Sequence, residues 1–363
     1  MLISQKSKET IDACRFCWMC RHICPIGNAT GQERNTARAR ALTLSLVERG
    51  AVKLADVIDN VYECALCGGC TNNCMTGWDP VKFTKEVRLE AAMNGETPEY
   101  INRLLDNIES TGNVYGITEA PEIDELRAAL PTVSDTLLYI GTDTRYKAPQ
   151  YALDAAAVLQ KGGVGFTVMR DEPDSGAALD FLVGETEETR ETAKKCADAL
   201  KPYKRVIVLD PADIKLMKHE WREWGIYPEG CEIVTFTSVA VKLIDDGNLT
   251  PNRLPVATAY QDSFALARDL DEVDDGRMIV DACAELREML LNRKELIWGG
   301  NTLTAEYMPD VIAKVAKNRW ANAAHVGAKL LCVVSPSEYA AMSKVKPDDM
   351  EIMSVPELIL ASI

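Results

Sequence analysis

The sequence predicts an α+β multidomain protein, in which an all-α N-terminal module precedes two repeated α/β lobes with parallel sheets. Three observations support this prediction. Eight cysteines form two runs of identical spacing near the amino terminus, among segments with helical periodicity. After residue 131, short β-rich runs alternate with helical ones, as in parallel βαβ layers. The second half of this α/β region repeats the pattern of the first.

Length and composition describe an ordinary globular protein of two or three domains. The chain has 363 residues, 47% of them hydrophobic, and a formal net charge of -15. This charge argues against nucleic acid or an anionic membrane as the main partner, because the average surface field would repel both. No apolar run approaches the roughly 20 residues needed to cross a bilayer, and Met1–Thr10 is too polar for a signal peptide. We therefore expect a soluble, cytoplasmic protein with no transmembrane segment.

The two cysteine runs have the spacing C-x2-C-x2-C-x3-C, the first followed by Pro25 and the second by Met75. Such a run ligates a pair of [4Fe-4S] clusters, because three closely spaced thiolates hold one cube and the fourth reaches the other. We therefore predict a double-cluster ferredoxin module in which the ligand sets cross between the runs. One cluster would be held by Cys14, Cys17, Cys20 and Cys74, and the second by Cys64, Cys67, Cys70 and Cys24.

Two other uses of these cysteines stay open, a pair of zinc sites and a disulfide framework. Zinc takes its four ligands as two pairs, which would leave the third cysteine of each tight run surplus, and no second histidine accompanies His22. A disulfide scaffold suits a short secreted chain rather than one of this length. The other four cysteines stand singly in apolar surroundings, where we expect unreactive core thiols. They are Cys196, Cys231, Cys283 and Cys332.

The cysteine runs are predicted to lie among helices, in a domain that covers residues 1–95. Helical periodicity between the runs covers Thr30–Gly50 and, more briefly, Lys53–Val61. After the second run, Asp79 is a natural helix cap and Pro80 a natural first-turn residue for a helix over Val81–Asn94.

Three arginines, Arg34, Arg38 and Arg40, lie on the predicted helix between the runs. They could complement the negative charge of ligated clusters, bind an acidic partner or simply form a solvated helical face. Residues 96–131 are charged and interrupted by proline and glycine, and they carry only weak helical signals. We interpret this region as a connector.

Residues 132–250 and 251–363 are predicted to form two similar lobes. The predicted strands of the first lobe are Thr136–Ile140, Gly165–Met169, Arg205–Leu209 and Glu232–Phe236. Those of the second lobe are Leu254–Tyr260, Glu295–Trp298, Lys329–Val334 and Glu351–Val355. A strand that ends in Asp210-Pro211 corresponds to one that ends in Ser335-Pro336, which indicates an internal repeat. The carboxyl ends of the two sets of strands would meet at one crevice, where such sheets place ligands.

A helical double-cubane module followed by a duplicated α/β domain resembles the D subunit of heterodisulfide reductase and the iron–sulfur subunits of glycolate and lactate oxidases. In that family the lobes carry Cys-Cys-Gly motifs that can bind a further cluster for disulfide chemistry. At the matching positions this chain has Asp174-Ser175-Gly176 and Ile297-Trp298-Gly299-Gly300, and Phe264-Ala265 replaces the family's Cys-His. The apolar replacements cannot ligate iron. The resemblance therefore implies the two N-terminal clusters but not the disulfide chemistry.

The lobes would then serve as a docking platform or as a crevice for another ligand. The candidates to line such a crevice are Asp174, Asp210, Asp262, Arg268 and Trp298. For the aspartates the ordinary alternative is a helix N-cap, and for the tryptophan it is core packing.

We predict an iron–sulfur electron-transfer subunit of a multi-subunit oxidoreductase, with no catalytic residues of its own. Its two [4Fe-4S] clusters would relay single electrons between a flavoprotein dehydrogenase, or another iron–sulfur subunit, and the next redox site. The alternative is an oxidoreductase with its own small-substrate or flavin site in the crevice between the lobes. A third possibility is a structural subunit whose clusters only hold the fold together.

Overall fold

The N-terminal part of the chain is helical, as predicted. The structure, a computed structural model, describes residues 3–14 and 17–363. The helices before residue 95 are α1 (Gln5–Asp12), α2 (Met19–Ile23), α3 (Pro25–Thr30), α4 (Ala37–Glu48), α5 (Ile58–Tyr62), α6 (Gly69–Asn72) and α7 (Pro80–Met93). None of the helices within the described ranges is long and apolar enough to cross a membrane.

Local sequence signals explain where these helices begin and end. The helix predicted from Thr30 starts later, because Gly31 ends α3 in a left-handed conformation (φ 68°) and Thr36 caps α4. The predicted cap of α7 is confirmed, since the Asp79 carboxylate accepts a hydrogen bond from the amide of Lys82 at 3.2 Å. The sequence therefore predicts a helix N-cap correctly where a polar residue is followed directly by proline, as at Asp79.

The region predicted as a connector, residues 96–131, contains more helix than its weak signals indicated. It forms α8 (Glu99–Thr111) and α9 (Pro121–Ala129). Pro98 and Pro121 stand at helix starts, where proline is tolerated, and Gly112 ends α8 with φ 75°. Ile123 on α9 is buried in the core of the first lobe, so α9 packs with that lobe.

Each lobe is a parallel sheet flanked by helices. The first lobe has strands β1 (Thr136–Tyr139), β2 (Arg205–Val208) and β3 (Glu232–Thr235), with helices α10 (Thr142–Lys147), α11 (Pro149–Lys161), α12 (Ala177–Val183), α13 (Glu187–Leu200), α14 (Pro211–Lys218), α15 (Glu220–Glu223) and α16 (Phe236–Asp245). The second lobe has strands β4 (Ala257–Gln261), β5 (Glu285–Arg287), β6 (Leu330–Val333) and β7 (Glu351–Ser354), with helices α17 (Asp275–Cys283), α18 (Thr302–Ala305), α19 (Pro309–His325), α20 (Pro336–Ser343) and α21 (Val355–Ser362).

The strand order supports the predicted internal repeat. The second sheet has the order β5-β4-β6-β7, and the first has the order β1-β2-β3. In place of a fourth strand, Thr167 forms one parallel bridge with Leu137, on the side of β1 away from β2. In both lobes, therefore, the second extended segment in the sequence lies at the edge of the sheet, next to the first strand. The strand predicted over Gly165–Met169 is reduced to this bridge.

The strand predicted over Glu295–Trp298 was wrong. Leu296 and Trp298 are buried on either side of a less buried residue, which resembles the alternation of a strand. The segment is instead a loop, in which the carbonyl of Leu296 accepts a hydrogen bond from the side chain of Arg268. The outer strand of this sheet is β5, which pairs with β4.

One apolar core runs through both lobes. It includes Leu138 of β1 and Leu330 of β6, and α11 packs on α21. The hydroxyl of Tyr151 on α11 donates to the carbonyl of Val334, just after β6, at 2.7 Å. The two lobes therefore pack directly against each other. The four scattered cysteines are buried in the described structure, as predicted, and burial raises the pKa of each of them.

Candidate metal centres

Where the structure describes both cysteine runs, they adopt the same local fold. Each run follows a helix, α1 or α5, and places its third cysteine in the next short helix, α2 or α6. The residue after the second cysteine has a left-handed backbone in both runs, at Trp18 (φ 67°) and at Gly68 (φ 72°). The repeat of spacing is thus also a repeat of conformation.

Four thiols meet at what we call the inner site, which consists of Cys24, Cys64, Cys67 and Cys70. They line one cavity, although Cys24 comes from the first run. Cys24 is held there as the N-cap of α3, where its sulfur accepts a hydrogen bond from the amide of Gly27 at 3.4 Å. The structure therefore brings together the crossed set that the spacing predicts, while ligation itself stays a prediction.

The inner site is half-buried and lies close to positive charge. Burial raises the pKa of Cys24 to about 12, and it also raises the pKa of Cys67 and of Cys70. Two arginines oppose this effect: Arg40 lowers the pKa of Cys24 and Cys70, and Arg268 lowers that of Cys67. Hydrogen bonds to main-chain carbonyls fix both arginines in place. Arg40 thus complements the site, as one sequence interpretation proposed.

The other four cysteines of the two runs, Cys14, Cys17, Cys20 and Cys74, are the second predicted ligand set, which we call the outer site. Burial raises the pKa of Cys20, and charge on Cys14 and Cys17 adds to this increase, so these three thiols lie near one another. Cys17 is exposed. Burial acts to raise the pKa of Cys74, but hydrogen bonds with Thr76 lower it overall. Cys14, Cys20 and Cys74 pack against one apolar cluster, but so does Cys70 of the inner site, so among the described residues no contact joins Cys74 to the other three, and its place in this set stays a prediction.

The residues of the inner site fit a [4Fe-4S] group. Four thiols share its cavity, and the amides of Gly27 and Leu66 donate to the sulfurs of Cys24 and Cys64 at 3.4 Å each. Thiolate ligands, hydrogen bonds to sulfur and burial are the means by which a protein holds and tunes such a cluster. Among the described residues, no three His, Cys, Asp or Glu side chains are arranged to hold a single metal ion.

A buried arginine that sequence reasoning missed connects the inner run to the first lobe. Arg88 on α7 is fully buried and donates to the carbonyls of Val61 (3.1 Å), Cys64 (2.6 Å) and Phe181 (2.6 Å). It lies one helical turn after the buried Thr84. That spacing is the only sequence signal for its position, and an arginine on a helix is more often exposed.

The five lobe residues predicted to line a crevice do not meet at one place. Asp262 forms a buried ion pair with Arg277, with oxygen–nitrogen distances of 2.6 and 2.9 Å. Trp298 is buried in the interior, and its exposed fraction is only 1%. These two residues therefore have the ordinary structural roles of pairing and packing.

Aspartates of the first lobe gather near the carboxyl ends of β1 and β2. Asp210 caps α14 by accepting from the amide of Ala212 at 2.8 Å, while its Oδ2 is buried without a partner in the described ranges. Burial, with the charge of Asp143, raises the pKa of Asp210 to about 8. Asp213, which sequence reasoning missed, also has a raised pKa because of burial and the charge of Asp210. The only sequence signal for Asp213 is its position one helical turn after the cap residue, Asp210.

Arg268 lies at a different place, a cavity between the module and both lobes that we call the seam cavity. Its volume is about 320 Å³. Its wall includes Leu66 and Gly68 from the inner run, Lys215 from the first lobe and Phe264 from the second. The seam cavity therefore adjoins the inner site, and no local sequence pattern could have indicated it.

The comparisons with known proteins agree with this geometry. Residues 10–78, which contain both cysteine runs, match the family of 4Fe-4S dicluster domains. No curated protein of similar sequence was found. The chain is similar to the crystal structure of a hypothetical protein from Helicobacter pylori, with a TM-score of 0.62 and 11% identity over 99% of this chain and 73% of that one. At this identity the likeness shows the fold alone. The N-terminal part of the chain is thus similar to an iron–sulfur module of the ferredoxin type.

Proposed function

We propose that this protein is an electron-transfer subunit of a multi-subunit oxidoreductase. It would relay single electrons between a flavoprotein dehydrogenase, or another iron–sulfur subunit, and the next redox site. The observation that carries the proposal is that four half-buried cysteines line one cavity and a second set includes the exposed Cys17, within a module that matches dicluster domains. When bound, two [4Fe-4S] clusters supply reversible one-electron chemistry.

The surface beside the outer site supports contact with a partner. Trp18, Met19 and Met75 have exposed fractions of 45%, 39% and 86%. The guanidinium of Arg38 lies 4.0 Å from the centre of the Trp18 ring, so the ring is held in place although it is exposed. Apolar side chains exposed beside a candidate metal site suit an interface with another protein.

The residues around the inner site would tune its reduction potential. Arg40 and Arg268 bring positive charge close to the sulfurs, and the amides of Gly27 and Leu66 donate hydrogen bonds to them. Both effects stabilise the negative charge that reduction adds, so they raise the potential relative to a site without them. The chain's own contribution is therefore to hold, cover and tune the electron-transfer groups.

Anaerobic reduction and turnover of the full-length, purified protein test this proposal. We expect about eight irons per chain, reversible reduction by a chemical reductant and no consumption of a metabolite without a partner. We also expect a flavoprotein or iron–sulfur protein to co-purify with the chain from its source. Steady metabolite consumption by the pure chain with an artificial acceptor would overturn the relay function. Irreversible or absent reduction would leave only a structural role for the clusters.

The seam cavity supports a second candidate function, an oxidoreductase with its own small-substrate or flavin site. The cavity touches the inner run at Leu66 and Gly68 and reaches both lobes. A molecule bound there would lie beside the inner site. A volume of about 320 Å³ is near the lower limit for ligand pockets, roughly 300 Å³, which favours a small substrate over a flavin. The turnover measurement described above separates this function from the relay.

A further inference from the structure

A second cavity lies at the carboxyl end of β1, among residues that are distant in sequence from both cysteine runs. Its volume is about 360 Å³, and its wall is almost wholly polar. We call it the arginine cavity, because Arg127, Arg145 and Arg170 line it. The carboxyl ends of parallel strands are where α/β sheets usually bind ligands. The position of the cavity therefore makes it a candidate binding site.

Two of these arginines carry donors that the described part of the chain does not satisfy. Arg127 Nε and Arg145 Nη2 are buried and have no hydrogen-bond acceptor there. The Arg145 side chain is only 11% exposed, and it forms an ion pair with Glu172. Its Nη2 lies 3.8 Å from Glu172 Oε1, so the pair leaves this donor without a hydrogen bond. A buried charged donor without an acceptor is costly. Two such donors on one cavity point to acceptors supplied by a ligand.

The buried carboxylates of the cavity already have partners. Glu172 accepts from the amides of Ile140 and Gly141 at 2.8 Å each. Asp174 accepts from the hydroxyl of Thr142 at 2.6 Å. Burial raises the pKa of both carboxyl groups. The other acids of the wall, Asp124 and Asp171, are exposed. The interior of the cavity therefore needs acceptors rather than donors.

We propose that the arginine cavity binds a small oxyanion, a metabolite with a carboxylate or phosphate group whose oxygens accept from Arg127 and Arg145. A guanidinium group presents its N–H donors as a planar fork, which matches the oxygens of either group. The polar wall suits a charged ligand, and a volume of about 360 Å³ limits it to a small molecule. The residues that line the cavity include none of the cysteines. This binding is therefore independent of the proposed electron relay.

Calorimetric titration of the full-length, cluster-loaded protein with inorganic phosphate, and separately with malonate, tests the proposal. Saturable one-site binding of either anion is expected. Binding of phosphate alone assigns the site to phosphate groups, binding of malonate alone assigns it to carboxylates, and binding of both assigns it to oxyanions in general.

Two variants locate the binding at the arginine cavity. Arg127→Gln and Arg145→Gln should each weaken it about tenfold or more, because each removes a charge-assisted hydrogen bond. Arg205→Gln is the matched control, since Arg205 pairs with Glu232 at 2.8 Å on the surface of the same lobe. That variant should bind like the wild type.

Thermal unfolding in anion-free buffer gives an independent readout. Arg127→Gln should leave the Tm unchanged or raise it, because it removes an unsatisfied buried donor, whereas replacing a structural arginine lowers the Tm. A lowered Tm or failed folding of both variants would overturn the proposal and assign the two arginines to structure. Absence of saturable binding, or equal binding by the wild type and both variants, would also overturn it.

Discussion

The inner and outer sites have the same cysteine spacing and local fold but different surroundings. Cys67 of the inner site is half-buried in a cavity near Arg268, whereas Cys17 of the outer site is exposed beside the exposed Trp18. The difference arises because the second run faces the lobes: Arg268 donates to its main chain from the second lobe. Spacing therefore predicts which thiols share a site, while tertiary packing determines how exposed each site is.

Removing one thiol from each site should have the largest effect. Cys67→Ala and Cys17→Ala should each lower the iron content from about eight to about four. They should differ in thermal stability, because loss of a buried group leaves a cavity and unpaired thiols inside the protein, whereas Cys17 is at the surface. Iron analysis and thermal unfolding measure the two effects. Cys196→Ala, which removes a buried thiol of the first lobe, should keep all the iron. Equal losses of stability at the two sites would abolish the distinction between them.

Replacing Arg88 tests whether the inner run depends on the first lobe. Arg88→Met removes three hydrogen bonds to buried carbonyls, and it should lower the free energy of unfolding by about 3 kcal/mol or more. Arg49→Met is the control in the same module, because the Arg49 side chain is 69% exposed and lies 3.8 Å from Asp12. Little change is expected there. Denaturant unfolding of cluster-loaded protein would show the contrast, and similar values for both variants would contradict it.

Replacing Arg268 should change the reduction potential of the inner site and leave that of the outer site unchanged. Arg268→Gln removes a positive charge near Cys67. Reduction adds negative charge, so the potential of the inner cluster should fall, on the order of 50–100 mV, while that of the outer cluster should not move. Arg287→Gln, which alters a surface ion pair of the second lobe, is the control for a change of net charge. A redox titration in which both clusters shift equally would refute the assignment of Arg268 to one site.

The smallest effect on stability is expected at the position after the second cysteine, where both runs have a left-handed backbone. Gly68→Ala should cost about 1–2 kcal/mol, because an L side chain is strained at φ 72°. Trp18→Gly should relieve the same strain at φ 67° and lose the contact with Arg38, worth about 0.5–1 kcal/mol. The two changes should therefore have opposite or clearly unequal effects on unfolding. A large loss of stability in Trp18→Gly would show that the outer run depends on tertiary packing as much as the inner run.

The parts of the fold that follow local rules were predictable. The cap at Asp79 and the repeat of the two sheets were readable from sequence, because a cap needs neighbouring residues and a repeat needs only comparison of patterns. The loop around Leu296 was mistaken for a strand, because a side chain rather than another strand binds its carbonyl.

The surroundings of the sites could not be predicted in the same way. Arg268 donates to the carbonyl of Cys67 across 201 positions of sequence. Arg127 and Arg145 occur on helices where arginine is ordinarily solvated, and only the packing of the first lobe buries their donors. Spacing predicts which thiols share a site, but the charges near them depend on contacts that no short pattern encodes.

The most direct test of the central claim is an anaerobic redox titration of the wild type and Cys24→Ala, followed by electron paramagnetic resonance. The account predicts two reversible one-electron steps in the wild type. Cys24→Ala should alter the signal that also depends on Cys67 and leave the signal that depends on Cys17, although Cys24 and Cys17 belong to the same run. Loss of the Cys17-dependent signal instead, or a wild type without two reversible steps, would contradict it.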